Sequence, residues 1–221
     1  MFEVYKYKAA VITTDVILDT FIDNCFDYND ADCLYLIIDD KELSGKTFRD
    51  FSIHQDLLTP ELRRRFPFDV RSRGFLCRSI ITCDIPIQII DLKTNMIEEA
   101  LLSYYLILGM PVRDAILSFE YTSFELYYKN DSYPIEAESF ALALEFFEED
   151  VKGIRFKTCF SCKFAFLHPD EERFFGFWQC LKLWKQELSA CKRNYELKHL
   201  IRKRAMPVQE TWLCEEFELR K

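Results

Sequence analysis

The chain has 221 residues, 49% of them hydrophobic and 16% aromatic. That composition excludes a disordered protein and is enough for one large domain, or two small ones, with a proper core. Thirty-seven acidic residues against 29 basic ones give a net charge of −8 and a pI near 5.1. This balance disfavours general nucleic-acid binding, which needs a basic footprint, and suits a protein that docks onto a basic partner.

Taken in order, Phe2–Thr13 is rich in Tyr, Val and Ile and reads as a strand that Asp15–Asp19 extends. Asp23–Asp32 is acidic and Asn-rich and reads as a loop, and Cys33–Ile38 as a second strand. Ser44-Gly45 is a hairpin-like turn signal. Thr59-Pro60 opens a helix, with Thr59 as its N-cap and Pro60 in its first turn. Arg63, Arg64 and Arg65 close that helix as a solvated basic face.

Two long strands are expected between Gly74 and Gly109, turning at Lys93-Thr94-Asn95, with Pro86 marking a place where the first is an edge. Ala115–Tyr128 reads as a further strand. Consecutive long strands without intervening helices argue for an antiparallel sheet. The period then changes. Phe140, Leu144, Phe147 and Val151 recur at helical spacing between Ser139 as cap and Gly153 as stop. Glu145, Glu148, Glu149 and Asp150 are placed on its outer face, as a solvated surface or a dock for a basic partner. Ile154–Lys157 reads as a short strand and residues 181–204 as one basic helix.

The last third carries four cysteines of interest: Cys159 and Cys162 as a Cys-x-x-Cys pair, then Cys180 and Cys214. The paired thiolates sit on one side of a tight turn, and two more from distant segments close a tetrahedron around Zn²⁺ with no open position. Such a site is structural. Cys191 and His168 are alternative ligands, the first on a charged helical stretch and the second in a loop. Buried thiols are the plain alternative, since an unmodified cysteine behaves as a small hydrophobe, and thiol-disulfide chemistry ranks last. Cys77 and Cys83 lie in an apolar run and read as core.

The Cys159-x-x-Cys162 pair, Phe175-Gly176 ahead of Cys180, and Val208-Gln209-Glu210-Thr211-Trp212-Leu213-Cys214-Glu215-Glu216-Phe217-Glu218 resemble the C-terminal signature of the bacterial domain-of-unknown-function family numbered 6304. The resemblance covers roughly residues 140 to 220. Lys163–Asp170 departs from the family's usual Gly-rich segment, and Leu181-Lys182 from the residues that usually follow its third cysteine. The resemblance implies a shared fold and a bacterial, intracellular setting, and it names no reaction.

No HExxH, Gly-rich phosphate loop, nucleophile elbow or dinucleotide fingerprint is present, and the three histidines, His54, His168 and His199, are scattered. No signal peptide opens the chain and no apolar run approaches a membrane span of ~20 residues, so a cytoplasmic protein with reduced cysteines is expected. The expected fold is α+β: an antiparallel β-rich region over 1–135 covered by a helix, then a helix plus a cysteine-anchored C-terminal subdomain over 136–221. The expected function is a non-catalytic cytosolic binding protein, specifically an immunity protein that neutralises a basic bacterial toxin such as a nuclease, with Glu145, Glu148, Glu149 and Asp150 as the contact. A zinc-stabilised structural or regulatory module, or a thiol-redox protein, is the alternative.

Overall fold

A computed structural model describes residues 4–25, 34–71, 74–113, 116–167, 178–208, 211 and 214–220. In chain order the elements are β1 (Val4–Ile12), β2 (Ile17–Cys25), β3 (Leu34–Ile38), β4 (Lys41–Gly45), α1 (Pro60–Arg65), β5 (Phe68–Asp69), β6 (Phe75–Leu76), β7 (Ser79–Asp91) and β8 (Met96–Leu108). There follow β9 (Pro111–Arg113), β10 (Ile116–Leu117), β11 (Glu120–Tyr128), β12 (Asp131–Glu136), α2 (Phe140–Asp150) and β13 (Ile154–Phe156). The chain ends with β14 (Ala165–Leu167), β15 (Trp178–Cys180), α3 (Lys185–Ala190), α4 (Asn194–Arg204) and β16 (Met206–Val208). The fold is α+β and mostly antiparallel sheet. No helix among the described residues is long and apolar enough to cross a membrane.

The main sheet runs β12-β11-β8-β7-β1-β2-β3-β4, with β13 also paired to β7. Its strands alternate as a half-buried pleat requires: Leu34, Leu36 and Ile38 of β3 are buried, as are Ile81, Cys83, Ile85, Ile87 and Ile89 of β7. Pro86 falls where β7 has no partner on one side: β1 pairs it only through Asp84, and β13 only from Ile89. A residue without an N–H costs nothing there.

Two compact units divide the chain. One comprises residues 1–86 and 101–138, the other 87–100 and 139–221. The first is centred on Tyr104, which stacks on Phe48 at 4.8 Å and lies 5.0 Å from Phe124. Thr59 caps α1 as expected, accepting the Leu62 N–H at 3.2 Å. In the second unit α2 starts at the Ser139 cap, buries Phe140, Ala143, Leu144 and Phe147, and sets Phe147 edge-on to Phe156 of β13.

The structure corrects several local expectations. Asp15–Asp19 does not extend β1; the chain reverses at Thr13–Val16 and β2 returns antiparallel, from Ile12↔Ile17 to Val4↔Cys25. Asp23 and Asn24, expected in a loop, lie in β2, while Cys33 is outside the described residues. The β3–β4 turn is Asp39-Asp40, not Ser44-Gly45, with φ of 47° and 60°. Lys129-Asn130 repeats the pattern between β11 and β12, at 52° and 69°. These are the left-handed pairs that two-residue hairpins require, made here without glycine. Residues 181–204 form two helices with a break at Cys191–Arg193, because the Glu196 carboxylate takes the Lys192 and Arg193 N–H groups at 2.8 and 3.1 Å and starts α4 afresh.

Gly74 has φ +75°, and a Cβ there would stand 2.5 Å from the Ile53 carbonyl oxygen, whereas a Cβ at Gly153 (φ +91°) would meet nothing closer than 3.8 Å. Gly74→Ala combines a backbone clash with left-handed strain and is expected to cost about 2–3 kcal/mol, against roughly 1 kcal/mol for Gly153→Ala. Urea unfolding of the two variants checks the order.

Candidate functional site

Two cysteines of the last third flank a turn, and two more line the cavity beside it. β13 delivers Thr158, and Cys159–Ser161 then make one 3-10 turn in which the Cys162 N–H reaches the Cys159 carbonyl at 3.2 Å. This turn puts Cys159 and Cys162 on one side, both buried. β14, β15 and β16 form a small sheet in which Cys180 stands opposite Ala165 and Met206. The segment Glu218–Arg220 returns along the turn: Lys163 N–H donates to the Glu218 carbonyl at 2.8 Å, and Arg220 N–H to the Ser161 carbonyl at 2.8 Å. The Arg220 guanidinium also donates to the carbonyls of Cys162 and Ala165. Phe160 meets Trp178 edge-on at 5.9 Å, and Phe164, Ala165 and Val208 complete an apolar shell.

Cys159, Cys162, Cys180 and Cys214 line one cavity of about 10 Å³. That is the room of a single water-sized body, too small for any organic cofactor. Cys162, Cys180 and Cys214 are in no disulfide. Lys182 stands over the sulfurs: its N–H donates to Cys180 Sγ at 3.4 Å, and its ammonium lies 3.9 Å from Cys214 Sγ. Burial pushes the Cys180 thiol above its ordinary range; its backbone bond from Lys182 acts against this, and negative charge at Cys162 and Cys214 adds to it. Among the described residues no three His, Cys, Asp or Glu side chains are already closed into a metal-binding arrangement. The donor set nonetheless suits a thiophilic ion: four soft sulfurs, one ion-sized space and a lysine beside them. Thr158, also on the cavity wall, is 1% exposed and its hydroxyl has no hydrogen-bond partner among the described residues.

The two alternative ligands fall elsewhere. Cys191 is half-buried between α3 and α4, where its thiol faces the Glu187 carbonyl at 3.3 Å. His168 lies outside the described residues. Cys77 is a core thiol donating to the Pro67 carbonyl at 3.3 Å; burial, reinforced by Asp69, pushes it up to about 11.

The acidic helix face is divided. Glu145, Glu149 and Asp150 are exposed, but Glu148 turns inward and does not share their face. Its carboxylate accepts the Phe156 N–H at 2.9 Å and the Ser161 hydroxyl at 2.8 Å, and pairs with Arg155 at 3.4 Å. Glu148 is therefore a strut between α2 and the cysteine turn. The signal was present in the sequence: Glu148 follows Leu144 by one turn and continues the apolar stripe toward Val151. Lys182 had no such signal, since nothing in its spacing links it to Cys214.

The family of unknown function (DUF6304) matches residues 21–165, more than half of the chain, and the chain belongs to that family. The match takes in Cys159 and Cys162; Cys180 and Cys214 lie beyond it. No curated protein and no solved structure matches the chain.

Removing the Glu148 carboxylate leaves a buried N–H and a hydroxyl unsatisfied. Glu148→Ala is expected to cost about 1–3 kcal/mol, and the exposed Glu149→Ala less than about 0.5 kcal/mol. Hydrogen exchange at the Phe156 amide should accelerate in the first variant alone.

Proposed function

We propose that this member of the family is a non-catalytic binding protein whose C-terminal part is tied together by one structural Zn²⁺ on Cys159, Cys162, Cys180 and Cys214. The cysteine-lined cavity carries this reading. It is small and lined by four cysteines, and four thiolates would leave a bound Zn²⁺ no open position for catalysis. A Zn²⁺ with four thiolates bears a net charge of −2, which the Lys182 ammonium would partly offset. The Lys182 N–H and the Thr158 hydroxyl would serve as donors to sulfur, as outer-shell groups around thiolate sites do. Zinc would thus make the subdomain cysteine-anchored. A reducing cytoplasm suits thiolate ligands.

The partner we infer is a basic protein, and the reading that suits an acidic chain best is an immunity protein against a bacterial toxin such as a nuclease. Glu145, Glu149 and Asp150 are exposed together and supply the charge. Such charges act mainly by steering encounter.

Protein purified without added metal is expected to carry one zinc per chain by elemental analysis. Cys162→Ser should lower the melting temperature by roughly 10 °C, while Cys77→Ser, which keeps its bond to Pro67, should shift it by only about 2–3 °C. Zinc-free protein with equal shifts in the two variants would sink the metal reading.

For the partner, the product of the adjacent gene is co-expressed and its binding kinetics measured. Glu145→Gln, Glu149→Gln and Asp150→Asn together should slow association about tenfold and leave dissociation within roughly threefold, with added salt mimicking the change. Glu148 stays intact, because its loss would act through the fold. Binding indifferent to both charge and salt would refute the acidic face as the contact.

A further inference from the structure

The second unit carries a feature of opposite sign that the proposed function does not use. Between Lys182 and Arg204 stand eight Lys and Arg residues against Glu187 and Glu196 only, within a chain of net charge −8. Lys182 and Lys185 are spent on Glu216. Arg204 lies over the Trp184 ring at 4.2 Å and Arg193 over Tyr195 at 5.9 Å. Lys198, Arg202 and Lys203 are exposed on α4 and make no ion pair among the described residues. Glu196 is occupied by the backbone N–H groups that start the helix.

α4 has eleven residues and not one of them is buried. An isolated helix of that length is marginal in water, and most helical stability in proteins comes from burying an apolar face. Yet Tyr195 is 61% exposed, and α3 and α4 leave between them a groove of about 660 Å³. Cys191, Tyr195 and Leu200 line it with Lys198, Arg202, Lys203 and Arg204, which outnumber the Glu187 and Glu196 side chains that also line it. The volume falls within the range of ligand clefts. A lining that is partly apolar and carries more cations than carboxylates matches one kind of occupant: a helix with an apolar stripe and acidic flanks, laid in the groove by its i, i+3, i+4 and i+7 side chains. Eleven residues of α4 span roughly 16 Å, three turns of such a helix.

We propose that the α3–α4 groove is a second docking site, for an acidic amphipathic helix of a protein partner. It is independent of the acidic face of α2. The cations complement the occupant's carboxylates, and its apolar stripe covers the exposed Tyr195 ring and the half-buried Leu200. Single-stranded nucleic acid, which also uses cations beside an exposed aromatic ring, is the competing occupant. The groove fits it less well, because the surrounding chain is strongly acidic and repels a long polyanion.

The test uses the full chain and four labelled probes, read by fluorescence anisotropy. The first is an 18-residue peptide with Leu at helical i, i+3, i+4, i+7 spacing and Glu on the flanks. The second is the same composition scrambled, the third is polyglutamate, and the fourth is a 20-nucleotide oligouridylate. The amphipathic peptide is expected to bind at least about fivefold tighter than the other three. Arg202→Glu with Lys203→Glu should weaken it about tenfold, as loss of close charge pairs does, and Tyr195→Ala should weaken it as well. Circular dichroism and zinc content of these variants should match the parent, since none of the three side chains is buried. The α2 variants Glu145→Gln, Glu149→Gln and Asp150→Asn should bind the peptide unchanged. Equal binding of the scrambled peptide, tighter binding of the oligonucleotide, indifference to the charge reversal, or no binding of the amphipathic peptide would each overturn the proposal.

Discussion

The Cys159–Cys162 turn holds the second unit together because polar backbone groups in an apolar shell must all find partners. They find them from three directions. Glu148 reaches down from α2 to the Phe156 N–H and the Ser161 hydroxyl. The returning segment supplies the Glu218 carbonyl, the Arg220 N–H and the Arg220 guanidinium. β15 brings Cys180 alongside Ala165. Each partner comes from a segment distant in sequence, so fixing the turn fixes all of them. The four cysteines line one small cavity beside that backbone arrangement.

How much of this the sequence disclosed depended on whether the determining interaction was local. The α1 and α2 starts, the Gly153 stop and the Lys93–Asn95 turn were legible, because cap and turn chemistry acts within about four residues. Pro86 announced an unpaired stretch of β7 for the same reason. The Asp39-Asp40 and Lys129-Asn130 turns were not legible as such. A chain with five glycines uses other residues for left-handed backbone, and Asp or Lys at such a place carries a weaker signal than Gly. The break between α3 and α4 was hidden similarly: it contains neither Gly nor Pro, and only the capture of two N–H groups by Glu196 makes it.

At the candidate site, the Cys-x-x-Cys pair was visible because one turn makes it. Spacing and the family resemblance suggested that Cys180 and Cys214 would join it, and the place of Cys180 on the same small cavity comes with β-pairing that no local pattern encodes. Glu148 shows the opposite error. A run of acids looked like one solvated face, although helical periodicity already set Glu148 apart from Glu145 and Glu149. The basic character of residues 181–204 was legible against a net charge of −8; their division into two helices was not.

The ends of the main sheet have a consequence of another kind. β12 is one border, and Pro134 removes a donor from it while Asp131, Ser132 and Glu136 stand exposed along it. β4 is the other border, and Ser44 there exchanges both of its backbone bonds with Ser52, at 3.0 and 2.9 Å. Open strand borders invite a neighbouring chain to add its own strand and start a fibre. One border here repels such a guest with charge and a missing N–H, and the other is interrupted where Ser44 is already paired with Ser52. Both borders therefore carry features that discourage a neighbouring chain from extending the sheet edge to edge.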